Sequence, residues 1–200
     1  MLRKTGFETR ELGYNSWGNS LGELCDRLAP RVARIADGAA EAGRPVHFVG
    51  HSMGGLVIRA LLSRHRPANL GHVVMLGTPN AGSEVADFVD SWPALRPILG
   101  KAAPVLVTRR SGSVDALFGP VDYSLGIIAG DWHMAGTPFS RLFPGPHDGK
   151  VSVASTRLPE AADHIVLPLP HTMLLYHPDA HREVRHFLLH GRFSADARRE

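Results

Sequence analysis

A short apolar run, Val46–Val49, leads without a break into Gly50-His51-Ser52-Met53-Gly54-Gly55, and Leu56, Ile58, Ala60, Leu61 and Leu62 follow at helical spacing. A strand must therefore become a helix within a few residues, and only a sharp, strained turn does that. The serine at the tip of such a turn is held under backbone strain, so the residues two places either side must be small. Gly50 and Gly54 stand at those two places, and Gly55 lets the new helix approach closely. These six residues offer a candidate nucleophile, Ser52, its placement, and one oxyanion donor, the backbone N–H of Met53. The bland alternative is a serine that merely caps a helix in an unrelated α/β protein. The strand before and the helix after favour the strained turn.

The rest of the chain builds a frame for that turn. Thr9–Asn15 reads as a short strand. Ser20 and Glu23 form a capping box, and Leu21, Leu24, Leu28, Val32, Ile35, Ala36 and Ala39 follow at helical spacing up to about Ala42. Gly43 stops this helix, Pro45 excludes its continuation, and Pro30 is expected to kink or split it. A helix is expected over Met53–His65, closed by Pro67, then a strand at Val73–Leu76, a loop at Gly77–Ser83 and a helical stretch over Glu84–Val89. A strand at Ser124–Ala129 precedes a long loop, Gly130–Lys150. Val151–Ala154 reads as a short helix or extended segment, and the strand His164–Leu167 and the helix Pro178–His190 close the pattern. Residues 92–122, with four prolines, read as either a small lid-like insertion or an irregular crossover. Alternating strands and helices, with strands of continuous apolar character, specify an α/β fold. Its sheet is mostly parallel and covered by helices on both faces. Two hundred residues suit one such domain, spanning 1–200.

Composition removes several function classes. One cysteine, Cys25, allows no internal disulfide and no cysteine-rich metal site. The net charge is +3, but the basic residues are scattered, and the densest pairs, Arg109–Arg110 and Arg198–Arg199, are too short for a nucleic-acid surface. No apolar stretch reaches the roughly 18–20 residues of a membrane span, and no long apolar run follows Arg3 and Lys4 as in a signal peptide. The default location is the cytoplasm, with secretion or the periplasm implied if a signal lies upstream. His133, His147 and Asp148 have no recognisable ligand spacing, so neither a metal nor any other cofactor is expected.

A serine hydroxyl is inert at neutral pH without a histidine base and an acid to orient that base. His171 stands just after the last strand, behind the rigid Leu167-Pro168-Leu169-Pro170, where a base belongs. Its rivals are His164, which begins the strand, and His177 and His181, which flank the last helix. Two acids compete on even terms. Asp148 lies in the glycine-rich loop Gly145–Gly149, and Asp131 directly follows the strand ending at Ala129–Gly130. Either is equally a turn-forming Asp beside glycine.

Four segments carry a resemblance. They are Val46–Val57, Leu76-Gly77-Thr78-Pro79-Asn80-Ala81-Gly82-Ser83, Asp148-Gly149-Lys150-Val151 and Pro170-His171-Thr172-Met173-Leu174-Leu175. They resemble the serine turn, the Thr-Pro loop, the acid loop and the histidine segment of bacterial α/β-hydrolase-fold lipases and esterases. The resemblance spans residues 7–193 and is least specific over 92–122. It implies an α/β-hydrolase fold, Asp148 rather than Asp131 as the acid, and attack by Ser52 on a small-molecule or lipid ester.

In the resembled family a second oxyanion donor comes from a loop after a strand that ends in His-Gly. No such strand or pair precedes Thr9, so the pattern reads as N-terminally truncated, with a gap beside Val46–Val49. Three arrangements would close it. Thr9–Asn15 moves across, another chain complements the sheet, or the natural protein begins upstream of Met1; the last is expected. Amidase, peptidase and thioesterase chemistry use the same three residues, so they stand as alternatives to ester cleavage. A catalytically impaired hydrolase acting as a binding module stands as the non-enzymatic one. Apolar residues such as Trp92 and Leu95 suit an acyl chain or ordinary core packing.

Overall fold

The computed structural model describes residues 2–133 and 140–198. The first long element is α1, Leu21–Glu41. Its N-terminus is tied by the expected box: Glu23 N donates to Ser20 Oγ at 3.4 Å, and Ser20 N donates to Glu23 Oε2 at 2.7 Å. The stripe Leu21, Leu24, Cys25, Leu28, Val32 and Ala36 is buried. Of the expected kink or split, the split does not occur: α1 is one helix through Pro30. Pro30 lies on the exposed side, where water can satisfy the carbonyl that loses its partner, and the buried stripe runs on beneath it.

Four strands follow, β1 (Val46–His51), β2 (Leu70–Leu76), β3 (Leu125–Gly130) and β4 (Asp163–Leu167). They form one sheet in the order β1-β2-β3-β4, every pairing parallel. Between them run α2 (Met53–Arg64), α3 (Glu84–Ser91), α4 (Ala103–Leu106), α5 (Gly112–Asp115) and α6 (Val153–Thr156), and α7 (Pro178–His190) follows β4. Both faces of the central strands β2 and β3 are dry over Val73–Leu76 and Leu125–Gly130, which explains why these read as unbroken apolar runs. Val73, Met75, Leu125 and Ile127 face the core made with α1 and α2, while Val74, Leu76, Ile128, Ile165 and Leu167 face the core made with α7. At about 2 kcal/mol per buried large aliphatic side chain, these two cores dominate the favourable side of folding.

The expected strand at Thr9–Asn15 does not form. These residues join no ladder, although Leu12 packs on the first core. A strand needs a neighbour, and between Thr9–Tyr14 and the edge of β1 lies a cleft of about 1130 Å³, floored by Leu28, Val32 and Ile35 of α1. Thr9–Asn15 has therefore not moved across to pair with Val46–Val49, and β1 is the sheet edge among the described residues. Val46 and Ser52 donate their N–H groups toward the β2 side, to Asn69 O and Leu76 O. By strand alternation His47, Val49 and His51 turn theirs to the cleft.

Residues 92–122 send Ala102, Val105, Phe118 and Val121 into the first core, while Trp92 and Ile98 stay exposed. Arg110 pins this stretch down by donating to the carbonyls of Asn80 and Pro79 at 2.6 and 2.7 Å. Of the long loop after β3, residues 134–139 lie outside the described residues.

Candidate active site

The carboxyl ends of parallel strands are where an α/β sheet gathers its chemistry, because the loops there leave from one edge. Ser52 joins β1 to α2 with φ 53° and ψ −128°, and among the described residues it is the non-glycine residue with positive φ. Such a conformation costs about 1–3 kcal/mol and persists only where its surroundings enforce it. The enforcement is visible at Gly50. A Cβ there would sit 2.6 Å from Ile58 Cδ1 and 2.8 Å from main-chain atoms of Gly54 and Gly55, so any side chain would push the turn open. Ser52 N donates to Leu76 O at 2.8 Å, fastening the turn to β2. Although Ser52 occupies the N-cap position of α2, its side chain makes no capping bond. The helix thus leaves its hydroxyl unused, against the simple-cap reading. Met53 is the first residue of α2, where N–H groups have no intrahelical partner and the helix dipole is positive.

Asp148 and His171 come together from loops after β3 and β4. His171 Nδ1 lies 2.7 Å from Asp148 Oδ2, with the two side chains 5% and 1% exposed. The other carboxylate oxygen, Oδ1, accepts from Lys150 N at 2.9 Å and Val151 N at 2.8 Å. His171 N also donates to Asp148 O at 2.9 Å, so the His–Asp pair is locked through main chain and side chain. A carboxylate only accepts, so Nδ1 carries a hydrogen, and in the neutral imidazole Nε2 is then the nitrogen that accepts. Gly77, at the end of β2, makes room for this pair. A Cβ there would lie 3.1 Å from both Asp148 Oδ2 and His171 Nδ1.

The other candidates are placed elsewhere. Asp131 is exposed at the end of β3, and its N–H donates to Leu167 O. His164 bonds Thr156 Oγ1 at 3.0 Å, and burial pushes it down to about 4. His177 caps α7 through Asp179 N, and His181 bonds Leu175 O at 2.6 Å. His133 and His147 stack at 3.7 Å between centroids, and Phe143 stacks on the same His147 ring at 3.9 Å. Burial, then the neighbouring His133, lowers the His147 pKa. Among the described residues no group of three or more His, Cys, Asp or Glu side chains could hold a metal ion, and no helix is long and apolar enough to cross a membrane.

Two partners escaped the sequence reading. His51 lies inside the serine motif, and its Nε2 is 2.9 Å from His171 O; adjacency to Ser52 was the available signal. Asn80 joins Arg59 Nη1 at 3.1 Å to Thr156 O at 2.8 Å beneath the Thr-Pro loop, and no local pattern announces such a long-range bridge.

Comparison with known proteins bears on the fold that carries this site. The model of the alpha/beta hydrolase family matches residues 6–198. The mature form of the Bacillus licheniformis lipase BlEst2 superposes with a TM-score of 0.68 at 23% identity, covering 86% of this chain and 74% of that one. Its propeptide form gives 0.68 at 22%, covering 89% of this chain and 42% of that one. Phospholipase PlaB from Legionella pneumophila gives 0.56 at 18%, covering 74% of this chain and 36% of that one. The chain thus spans well under two thirds of the latter two proteins. At these identities the likeness is one of fold. No curated protein matches the chain.

Proposed function

Because the chain belongs to the alpha/beta hydrolase family, we propose that it hydrolyses carboxylic esters through an acyl-serine intermediate on Ser52. The observation that carries the reading is the buried 2.7 Å contact between His171 Nδ1 and Asp148 Oδ2, together with a Ser52 held at positive φ. His171 Nε2 takes the Ser52 proton as Oγ attacks the ester carbonyl. The tetrahedral oxyanion draws on the Met53 N–H at the positive end of α2. Collapse expels the alcohol, which leaves with the proton from His171. Water, deprotonated by the same nitrogen, then releases the acid and restores Ser52. Asp148 holds the tautomer and stabilises the imidazolium. The lipase and phospholipase names among the structural neighbours favour esters over amides or thioesters, which the same three groups could attack.

One observation favours a second reading, a chain of this fold with little turnover of its own. The cleft along β1 runs beside Gly50, His51 and Gly54, and no described strand lies there to bring a second oxyanion donor. Losing one such donor costs on the order of 10²–10³ in kcat. Hydrolysis of p-nitrophenyl butyrate separates the two, with Ser52→Ala as control. Turnover abolished by Ser52→Ala supports the esterase. A folded parent no faster than Ser52→Ala supports the second reading.

A further inference from the structure

His51 has no part in the mechanism above, yet it touches the base. Its ring lies 4.6 Å from the His171 ring, and its Nε2 is 2.9 Å from the His171 carbonyl oxygen. A carbonyl only accepts, so Nε2 carries the hydrogen. Burial, reinforced by the neighbouring His171, pushes His51 down to about 4, so at neutral pH it donates this bond without a charge. A charged ring there would repel the imidazolium that His171 must become.

The position of this bond matters more than its strength. His171 is bound to Asp148 twice, through N–H to Asp148 O and Nδ1–H to Asp148 Oδ2. Both bonds fix the base relative to the acid, and neither fixes the pair relative to the serine. Ser52 directly follows β1 and His171 follows β4, the strands at opposite ends of the strand order. The His51 bond crosses that distance, linking residues 120 apart in sequence, and its donor is the residue next to Ser52.

Building on the hydrolase reading, we infer that His51 is a positioning residue: its Nε2–H, donated to the His171 carbonyl, registers the acid–base pair against Ser52. Loss of the donor lets the pair shift as a unit, and a shift near 1 Å lowers the rate about 10²-fold.

The test compares His51→Leu, His51→Gln and His51→Asn in p-nitrophenyl butyrate hydrolysis and in the rate of Ser52 labelling by a fluorophosphonate. Ser52→Ala serves as control and circular dichroism monitors folding. The Gln amide nitrogen falls near the place of Nε2, whereas the Asn amide is one methylene too short. His51→Leu is expected to lower kcat about 10²-fold with KM nearly unchanged, and His51→Gln to recover most of it while His51→Asn does not. A purely structural role would treat Gln and Asn alike, so this pair decides the matter even if His51→Leu does not fold. Equal kcat for Gln and Asn, or a folded His51→Leu within about threefold of the parent, overturns the inference while leaving the hydrolase reading intact. Should the parent lack turnover, labelling rates make the same comparison. A parent that takes up neither ester nor phosphonate, or a Ser52→Ala variant as active as the parent, overturns both.

Discussion

Replacing Asp148 by Asn changes the site by one proton-bearing group at nearly constant volume. The Asp148 carboxylate accepts three hydrogen bonds, from Lys150 N at 2.9 Å, Val151 N at 2.8 Å and His171 Nδ1 at 2.7 Å. An Asn can keep its carbonyl oxygen toward the two main-chain donors, which places its NH₂ against His171 Nδ1. Two donors then face each other in a site 1–5% exposed. The imidazole escapes by moving its hydrogen to Nε2, the nitrogen that must receive the Ser52 proton. Restoring the active tautomer forfeits a charge-assisted bond of about 1.5–3 kcal/mol and strands a buried donor at about 1–3 kcal/mol. The barrier therefore rises by about 3–6 kcal/mol, a fall of roughly 10²–10⁴ in kcat. The two main-chain bonds survive, so unfolding by urea should shift little. Initial rates on p-nitrophenyl butyrate for Asp148→Asn and Asp131→Asn provide the assay, and Asp131→Asn is expected to stay within about twofold of the parent. An Asp148→Asn rate within about tenfold of the parent, or a larger loss at Asp131, would refute the tautomer argument.

Gly50→Ala drives a Cβ to 2.8 Å from the main chain of Gly54 and Gly55, so it should open the serine turn, lowering stability by about 1–3 kcal/mol and activity about 10²-fold; urea melts and rates check both. Arg110→Ala strips two main-chain carbonyls of their donor and removes the guanidinium 5.1 Å over Phe118, for a loss of about 2–4 kcal/mol in urea unfolding. Lys at the same place should not restore it, because one ammonium cannot reproduce the fork. Acid should destabilise the fold through His164, which burial holds at about 4 while the unfolded chain keeps the ordinary value near 6.5. Between those values the unfolded state binds the proton first, so this contribution is complete above pH 6.5 and lost as pH falls toward 4. His164→Gln should flatten that slope by an amount of order 2 kcal/mol after allowance for partial exposure, measured by urea unfolding from pH 7 to 4.5; an unchanged slope counts against it.

Local requirements were legible in the chain. The capping box at Ser20 and Glu23, the stripe of α1 and the strand–turn–helix around Ser52 depend on residues within a few positions of one another. The unbroken apolar runs of β2 and β3 report burial on both faces, which each strand carries in its own composition. His171 was legible because the stiff prolines 168 and 170 and the end of β4 bracket it. The split expected at Pro30 does not occur, because sequence marks the missing N–H but not which side of the helix water reaches.

What the sequence determined by itself was therefore the fold class and the strand–turn–helix at Ser52, with His171 marked as a candidate at the end of β4. Tertiary structure brought Asp148, and not Asp131, against His171: the two are alike as loop aspartates, the family resemblance favoured Asp148, and the return of the 145–152 loop supplies the contact. It also denied Thr9–Asn15 a ladder and joined His51 to His171. The physical reason is common to all three. A helix or a tight turn closes its hydrogen bonds over neighbouring residues, whereas a strand edge, a carboxylate–imidazole pair and a main-chain tether are completed by groups far away in the chain. Their partners are chosen by how the layers pack.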